Sequence, residues 1–398
     1  MLTPEANIAA LPIRPPEVRS AEVMGIEPMS LVPESQPEEI IRILSLPPNP
    51  KLPAVNGSIV PSENLPHPEN EPIIMAINYG DESIGNYGDG VIKAIGRGQQ
   101  VTLVIEQPPN DKPLPSAEEW RVYIEKIVGK YQPATFIVGN EVNAPAGHPQ
   151  SLLPAQYVSL YETAHEVIKR ISPRTQVFLY GEAHYGKGEY LSVVLWLLKG
   201  RNIPFDGIAI HYYGDDELMA SRVALYQRVL RLNRFSGKPI MISELGVPEN
   251  FPFLPDNNAY ASEMVKLLAR AACLQKEGRI KEADWYTAAS FANQKNSLFE
   301  LVRWGNNQVF VRPTASVEPW MLTTRLLYRV TGIRTDRYGL VTVSGRTASG
   351  EKTAVVWATR RTSEYQVPAG VAVYDLAGQK IAQGGEVISV TTEPVFIF

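Results

Sequence analysis

The sequence predicts an α/β protein: a (β/α)8 TIM barrel followed by a small C-terminal antiparallel β-sandwich-like domain. Three observations carry this. Seven short apolar runs alternate with amphipathic helical patterns between residues 73 and 332, as in a parallel sheet covered by helices. The runs are mostly continuous rather than alternating, which marks strands buried on both faces. After Gly332 the texture changes to short alternating strands separated by turn residues, an antiparallel signature.

Taken in order, the chain opens on a proline-rich segment over residues 1–21, and nearly half of its 33 prolines precede Ile73. Proline restricts its own backbone and that of the residue before it, which discourages long helices there. One strand over Glu22–Ile26 and one helix over Pro37–Leu46 are expected within this wrap around the barrel, which is assigned to residues 22–332. The apolar runs are IIMAINYG (73–80), VTLVIEQ (101–107), ATFIVGN (134–140), QVFLYG (176–181), DGIAIHYYG (206–214), PIMISELG (239–246) and WYTAASFA (285–292). With Glu22–Ile26 first, they number eight. Between them, a capping box at Ser116 and Glu119 opens a helix carrying Trp120, Tyr123, Ile124, Ile127 and Val128 on one face. A second helix places Tyr157, Leu160, Tyr161, Ala164, Val167 and Ile168 together, and a third runs through Tyr260, Met264, Leu267, Leu268 and Ala271. A final helix, Pro319–Val330, ends at Gly332. The runs GLVTVSG, KTAVVWATR, VAVYDLAG and EPVFIF then form the β domain over 333–398, small enough that it is expected to pack on the barrel. A doubly wound open sheet is the rival architecture, but no GxGxxG motif follows a strand.

Composition narrows the function. The 398 residues are 44% apolar and 20% charged with a net charge of −4, without the clustered basic face of a nucleic-acid binder. The single cysteine, Cys273, excludes an internal disulfide framework and a CxxC pair, and five histidines leave little room for a metal site. No uninterrupted apolar run approaches the length of a membrane span. The opening stretch, MLTPEANIAALPIRPPEVRS, lacks the basic start and apolar core of a signal peptide. A secreted or cell-envelope location is expected if a signal is absent from this chain, and a cytoplasmic one otherwise.

In a βα barrel, chemistry sits at the C-terminal ends of the strands. With Glu22–Ile26 as strand one, strand four ends in Gly139-Asn140-Glu141. Strand five ends in Gly181-Glu182, with His184 just beyond. Strand six ends in His211-Tyr212-Tyr213, and strand seven in Ser243-Glu244-Leu245-Gly246. Glutamates at the tips of strands four and seven face one another across a barrel mouth. Two carboxyl groups about 5–5.5 Å apart are what a retaining glycosidase needs, one to donate a proton and one to attack the anomeric carbon.

The set FIVGNEVN, DGIAIHYYG and PIMISELG resembles clan A of the glycoside hydrolases, retaining barrel enzymes of the family 5 and family 39 type, over residues 73–332. The trailing β domain suits the family 39 type. The resemblance implies an enzyme cleaving O-glycosidic bonds of an oligo- or polysaccharide by double displacement, with a carbohydrate as partner, no metal and no cofactor. It matches Glu141 to the acid/base and Glu244 to the nucleophile. It matches Asn140 to a residue bonding the sugar 2-hydroxyl, and His211 and Tyr213 to a pair that contacts substrate and orients the nucleophile. Glu182 and His184 are candidates to contact substrate, with a structural role in the loop after the strand as the equal alternative. Clan members also carry an arginine near the end of strand two; here that strand ends in Asn78-Tyr79-Gly80.

Other readings stand beside these. A barrel that kept its fold and lost efficient chemistry would act as a carbohydrate-binding or polysaccharide-assembly protein, and the missing arginine motivates that alternative. A lyase or aldolase would need a strand-end lysine or metal ligands, and Lys187 is poorly placed. His165, His67 and His148 read as solvated, Trp285 as packing at the barrel bottom, and Phe291 and Asn293 as weak sugar-contact candidates, while Trp304, in the following loop, reads equally as stacking on a sugar ring or packing on the barrel rim. GNYGDG (85–90) reads as a turn rather than a phosphate loop, and Asn56-Gly57-Ser58 as a sequon or an Asn-Gly turn.

Overall fold

The computed structural model describes residues 38–49, 73–80, 88–109, 113–145, 148, 150–183, 186–248, 257–286, 289–291, 298–304, 308–360 and 362–398. The strand expected at Glu22–Ile26 lies outside them, as do His67, the Asn56 sequon, His184, Asn293 and residues 85–87. Helix α1 (Glu38–Leu44) falls within the predicted Pro37–Leu46.

Seven parallel strands form one curled sheet in chain order: β1 (Ile73–Ile77), β2 (Val101–Ile105), β3 (Thr135–Asn140), β4 (Gln176–Glu182), β5 (Gly207–Tyr213), β6 (Ile240–Gly246) and β7 (Glu282–Trp285). Helices α2 (Gly88–Gly96), α3 (Ala117–Lys130), α4 (Pro154–Ile171), α5 (Glu189–Arg201), α6 (Asp216–Leu232) and α7 (Asn257–Lys276) alternate with them. The α/β barrel architecture is as predicted. Ile74, Val104, Ile137, Phe178, Ala209 and Met241 pack together inside the sheet, while its outer face shares a larger core with the helices. Lys281 closes the base, its Nζ 2.8 Å from Gln176 Oε1 and 5.1 Å from the Phe178 ring centroid.

Local chemistry sets the helix starts. Ser116 Oγ accepts from the Glu119 amide while the Glu119 carboxylate accepts from the Ser116 amide, the predicted capping box. Pro154 occupies the first turn of α4, where a missing N–H costs nothing. Asp215 caps α6 through the Leu218 amide.

The last barrel strand differs from the expectation of 285–292. Strand β7 comprises Glu-Ala-Asp-Trp, and its two buried acids hide it from an apolar-run reading. Trp285 therefore ends its strand instead of starting it, and packs with the outer core. The Gly88-Asp89-Gly90 part of the presumed turn opens α2. His165 is buried rather than solvated, beside the Tyr161 ring at 5.8 Å, and burial followed by the nearby Lys169 lowers its pKa. His148 is exposed, as expected.

A three-stranded sheet of β8 (Ala289–Phe291), β9 (Phe299–Trp304) and β10 (Gln308–Pro313) follows, so Trp304 ends a strand rather than lying in a loop. Helix α8 (Val317–Leu326) stops short of the expected Val330. The β-branched residues beyond it enter β11 (Arg329–Thr335). The antiparallel region continues with β12 (Leu340–Arg346), β13 (Lys352–Ala358), β14 (Ser363–Gln366), β15 (Ala372–Tyr374), β16 (Lys380–Gln383), β17 (Val387–Val390) and β18 (Val395–Ile397). Six of these strands form one sheet in the order β11-β12-β13-β18-β15-β16, and β14 pairs with β17.

Val341, Val343, Val355, Trp357 and Phe396 of the β region belong to the same buried core as α7 and α8. The N-terminal segment clasps both parts. Arg325 Nε donates to Leu44 O at 2.9 Å, Asn49 Nδ2 donates to Leu327 O at 2.9 Å, and Arg42 pairs with Glu351 on the turn leading into β13.

Candidate active site

Two departures from regular strand geometry build the site. Between β5 and β6 the register shifts after Ile210↔Ile242, so that His211 stands opposite Glu244 instead of Ser243. Such irregularities at strand ends re-aim side chains. At the end of β3, Gly139 (φ 93°) and then Glu141 (φ 47°) are left-handed. A Cβ on Gly139 would approach Tyr157 and Tyr180 to 3.0 and 3.1 Å, so glycine is required there. Left-handed backbone at a glutamate is uncommon and costs energy, as is frequent at functional sites. The turn is held by Glu141 N donating to Gly181 O and Ala144 N donating to Glu141 O, both at 2.8 Å.

These devices bring Glu141, Glu244, His211 and Tyr213 together. His211 Nδ1 lies 3.0 Å from Glu141 Oε1 and 3.3 Å from Glu244 Oε2. Both carboxylates thus meet at a single nitrogen, and the gap between these two oxygens cannot exceed the 3.0 and 3.3 Å contacts laid end to end. Tyr213 Oη donates to Glu244 Oε2 at 2.6 Å. The Tyr286 ring meets the Tyr213 ring edge-on at 6.2 Å. His211 is 2% exposed, and its Nε2 edge rests against the backbone at Gly181, where an added Cβ would fall 2.3 Å away.

Electrostatics follow from this packing. Burial opposes a charge on His211, but the Glu244 carboxylate and the Glu141 hydrogen bond outweigh it, and the imidazole pKa lies above its ordinary value. Burial raises the Glu244 pKa; His211 and the Tyr213 hydrogen bond counter it, and Glu141 adds to the rise. His211 is thus the basic neighbour that counters burial at Glu244, and no arginine is found among the described residues lining the site.

These groups line a cavity of ≈ 340 Å³ together with Asn140, Glu106, Gln150 and Ser243. Asn140 is positioned by Gln107: its amide donates to Gln107 Oε1 at 2.8 Å, and Gln107 Nε2 donates to Asn140 O at 2.7 Å and Gln150 O at 2.8 Å. Asn140 Nδ2 reaches Glu106 Oε1 at 3.4 Å. Glu106 and Gln107 end the run beginning at β2, and Tyr286 follows β7; none was singled out from sequence. For Glu106, the same signal that marks Glu141 was present: a carboxylate closing an apolar run.

Of the two roles open to Glu182, the geometry matches the loop-structure one and not substrate contact. The register shift between Leu179 and Gly181 sends its carboxylate to the helix side of the sheet. There it is 1% exposed and accepts from Tyr180 Oη at 3.1 Å and Gly188 N at 3.2 Å. Burial pushes its pKa up to about 7. It supports the loop after β4 instead of meeting a substrate in the cavity. His184, in that loop, is outside the described residues. No group of three or more metal-ligating side chains occurs among the described residues, and no helix among them is long and apolar enough to cross a membrane.

No protein-family model matches the sequence, and no curated protein matches it. Solved structures do match the fold. A glucosidase from Croceicoccus marinus aligns with a TM-score of 0.62 at 14% identity, over 88% of this chain and 96% of that one. A family 51 α-L-arabinofuranosidase from Bifidobacterium longum gives 0.56 at 11% identity, over 90% and 89%. A monomeric β-xylosidase from Caulobacter crescentus gives 0.52 at 13% identity, over 82% and 89%. At such identities the likeness is one of fold.

Proposed function

We propose that the protein is a retaining glycoside hydrolase with Glu141 as acid/base and Glu244 as nucleophile. The observation that carries this is the shared imidazole of His211, whose Nδ1 lies 3.0 Å from one carboxylate and 3.3 Å from the other. Retaining enzymes separate their carboxyl groups by about 5–5.5 Å and inverting ones by about 6.5–9.5 Å, to admit a water. Two carboxylates bridged by one nitrogen suit the shorter spacing. The fold shared with a glucosidase, an arabinofuranosidase and a xylosidase supports the same reading.

In the first step Glu141 gives its proton to the glycosidic oxygen as that bond breaks, and Glu244 attacks the anomeric carbon. Tyr213 and His211 stabilise the ionised Glu244 and fix its angle of approach. In the second step Glu141, now a carboxylate, takes a proton from water, which displaces Glu244 with a second inversion. Asn140 faces the same cavity and is available to the sugar 2-hydroxyl, where hydrogen bonds strengthen in the transition state.

The test is the configuration of the first-formed product, followed by NMR on a panel of aryl glycosides, with Glu141→Ala and Glu244→Ala as controls. Net retention and loss of turnover in both variants are expected. An inverted first product contradicts double displacement, and undiminished turnover in both variants contradicts the site. A second reading, a carbohydrate-binding or polysaccharide-assembly protein, is supported by the lack of an arginine among the described cavity residues. Saturable oligosaccharide binding without turnover, unaffected by Glu244→Gln, is its signature.

A further inference from the structure

The double-displacement scheme uses two carboxylates, yet the described lining of the cavity contains three. Glu106 lines the same wall as Glu141 and Glu244, and has no part in the proton transfers. Its environment makes it an expensive group to keep. It is half-buried, and burial, Glu244 and Glu141 all disfavour its charge. Its one hydrogen-bond donor among the described residues is Asn140, at a long 3.4 Å. A carboxylate offers about four lone-pair positions, so Glu106 retains acceptor capacity. Ser243 gives an independent indication. It is 2% exposed, lines the cavity, and its buried Oγ has no hydrogen-bond partner among the described residues. Buried polar atoms are normally paired, and one left open in a cavity wall marks where a ligand or a water supplies the partner.

We propose that Glu106 is a specificity-determining residue of this cavity, accepting hydrogen bonds from a sugar, and that the site takes neutral or amino sugars and rejects sugars carrying a carboxylate or sulfate. The inference rests on the glycoside hydrolase reading of the site. The described lining supplies three acids and, as its one basic side chain, His211, already committed to Glu141 and Glu244. A sugar hydroxyl or ammonium donates to Glu106 and relieves its isolation. An anionic substituent meets three acids and no basic side chain that is free to pair with it among the described lining. At an effective dielectric constant of about 20, one unit charge about 6 Å away is enough to weaken binding about 100-fold.

The experiment compares kcat/KM for matched aryl glycosides, glucosaminides and uronides in the gluco and galacto series, with the native protein and Glu106→Gln. Calorimetric binding of the corresponding free sugars runs in parallel. The native protein is expected to disfavour the uronide about 100-fold, and Glu106→Gln to narrow that gap about tenfold, with the amino-sugar preference falling and KM rising more than kcat falls. Uronides processed or bound as well as neutral sugars overturn the proposal. So does a variant that lowers all substrates by one common factor. Discrimination in binding without any turnover leaves the proposal standing and removes the hydrolase reading; turnover without discrimination does the reverse. Failure to hydrolyse or bind any of the sugars at millimolar concentration overturns both.

Discussion

Replacing Gly181 by alanine tests the architecture of the site through a cavity-lining residue that has no side chain of its own to take part in the proton transfers. A Cβ at this position would stand 2.3 Å from His211 Nε2, 3.0 Å from Cδ2 and 3.2 Å from Cε1. Restoring an ordinary separation of 3.4 Å requires the ring to retreat by roughly 1 Å. It cannot retreat straight, because Nδ1 on the opposite edge already lies 3.0 Å from Glu141 Oε1 and 3.3 Å from Glu244 Oε2. The imidazole must tilt, and both carboxylate contacts are lost or stretched. A misplacement of about 1 Å at a reacting group typically costs about 100-fold in rate. Overpacking itself costs about 1–3 kcal/mol of stability. Gly181→Ala is therefore expected to lower kcat/KM on a responsive aryl glycoside about 100-fold, with a stability loss of that order in urea denaturation. The His211 titration followed by NMR should move to lower pH, since burial remains while its acidic partners recede. Adding His211→Ala removes the clash, so the double variant should regain most of the stability lost by Gly181→Ala, a clear non-additivity. Native activity with an unmoved His211 titration in Gly181→Ala would refute the reasoning.

Three further predictions concern the ionisable groups. Tyr213→Phe removes the 2.6 Å hydrogen bond to Glu244; kcat should fall about 10–100-fold, and the acid limb of the pH–rate profile should shift to higher pH because Glu244 loses a group that lowers its pKa, whereas an unmoved limb would remove Tyr213 from this role. Glu182 has its pKa raised to about 7, so the folded protein holds a proton that the unfolded chain has released by then. Its favourable contribution is complete below pH about 4.5 and is lost as pH rises towards 7, on the order of 3 kcal/mol in all; Glu182→Gln should flatten the stability–pH curve between those values, and parallel curves would contradict the burial argument. Asp284 lies buried in β7 with neither carboxylate oxygen hydrogen-bonded in the usual geometry, and burial followed by the neighbouring Glu282 pushes its pKa far upward. Asp284→Asn should raise stability at neutral pH by about 1–3 kcal/mol, a gain that disappears in acid, where Asp284 of the unfolded chain is protonated as well; a loss at neutral pH would mean that the carboxyl group is needed.

Much of this site is legible in the sequence because buried parallel strands read as apolar runs, and a polar residue that closes such a run stands out. Glu141, His211, Tyr213 and Glu244 are recognisable in that way. Glu182 carries the same signature and misleads, since the register shift at Leu179/Gly181 turns it to the opposite face. A one-residue slip inverts inside and outside, and no local pattern announces it. Strand β7 is hidden for a different reason. Its inner face carries acids, so the expected run begins only at Trp285, the strand's last residue. The need for glycine at 181 is set by an imidazole on the next strand, a constraint that exists only once β4 and β5 are side by side. Glu106 was legible on the same terms as Glu141, at the close of VTLVIEQ.

The most direct test of the central claim is to identify the residue that becomes covalently glycosylated. A 2-deoxy-2-fluoro glycoside with an activated leaving group slows both steps, and the second more in effect, so a glycosyl-enzyme accumulates for peptide mass spectrometry. The geometry predicts one sugar adduct on the peptide containing Glu244, absent in Glu244→Gln. An adduct on Glu141 or Glu106 would contradict the assignment of the nucleophile.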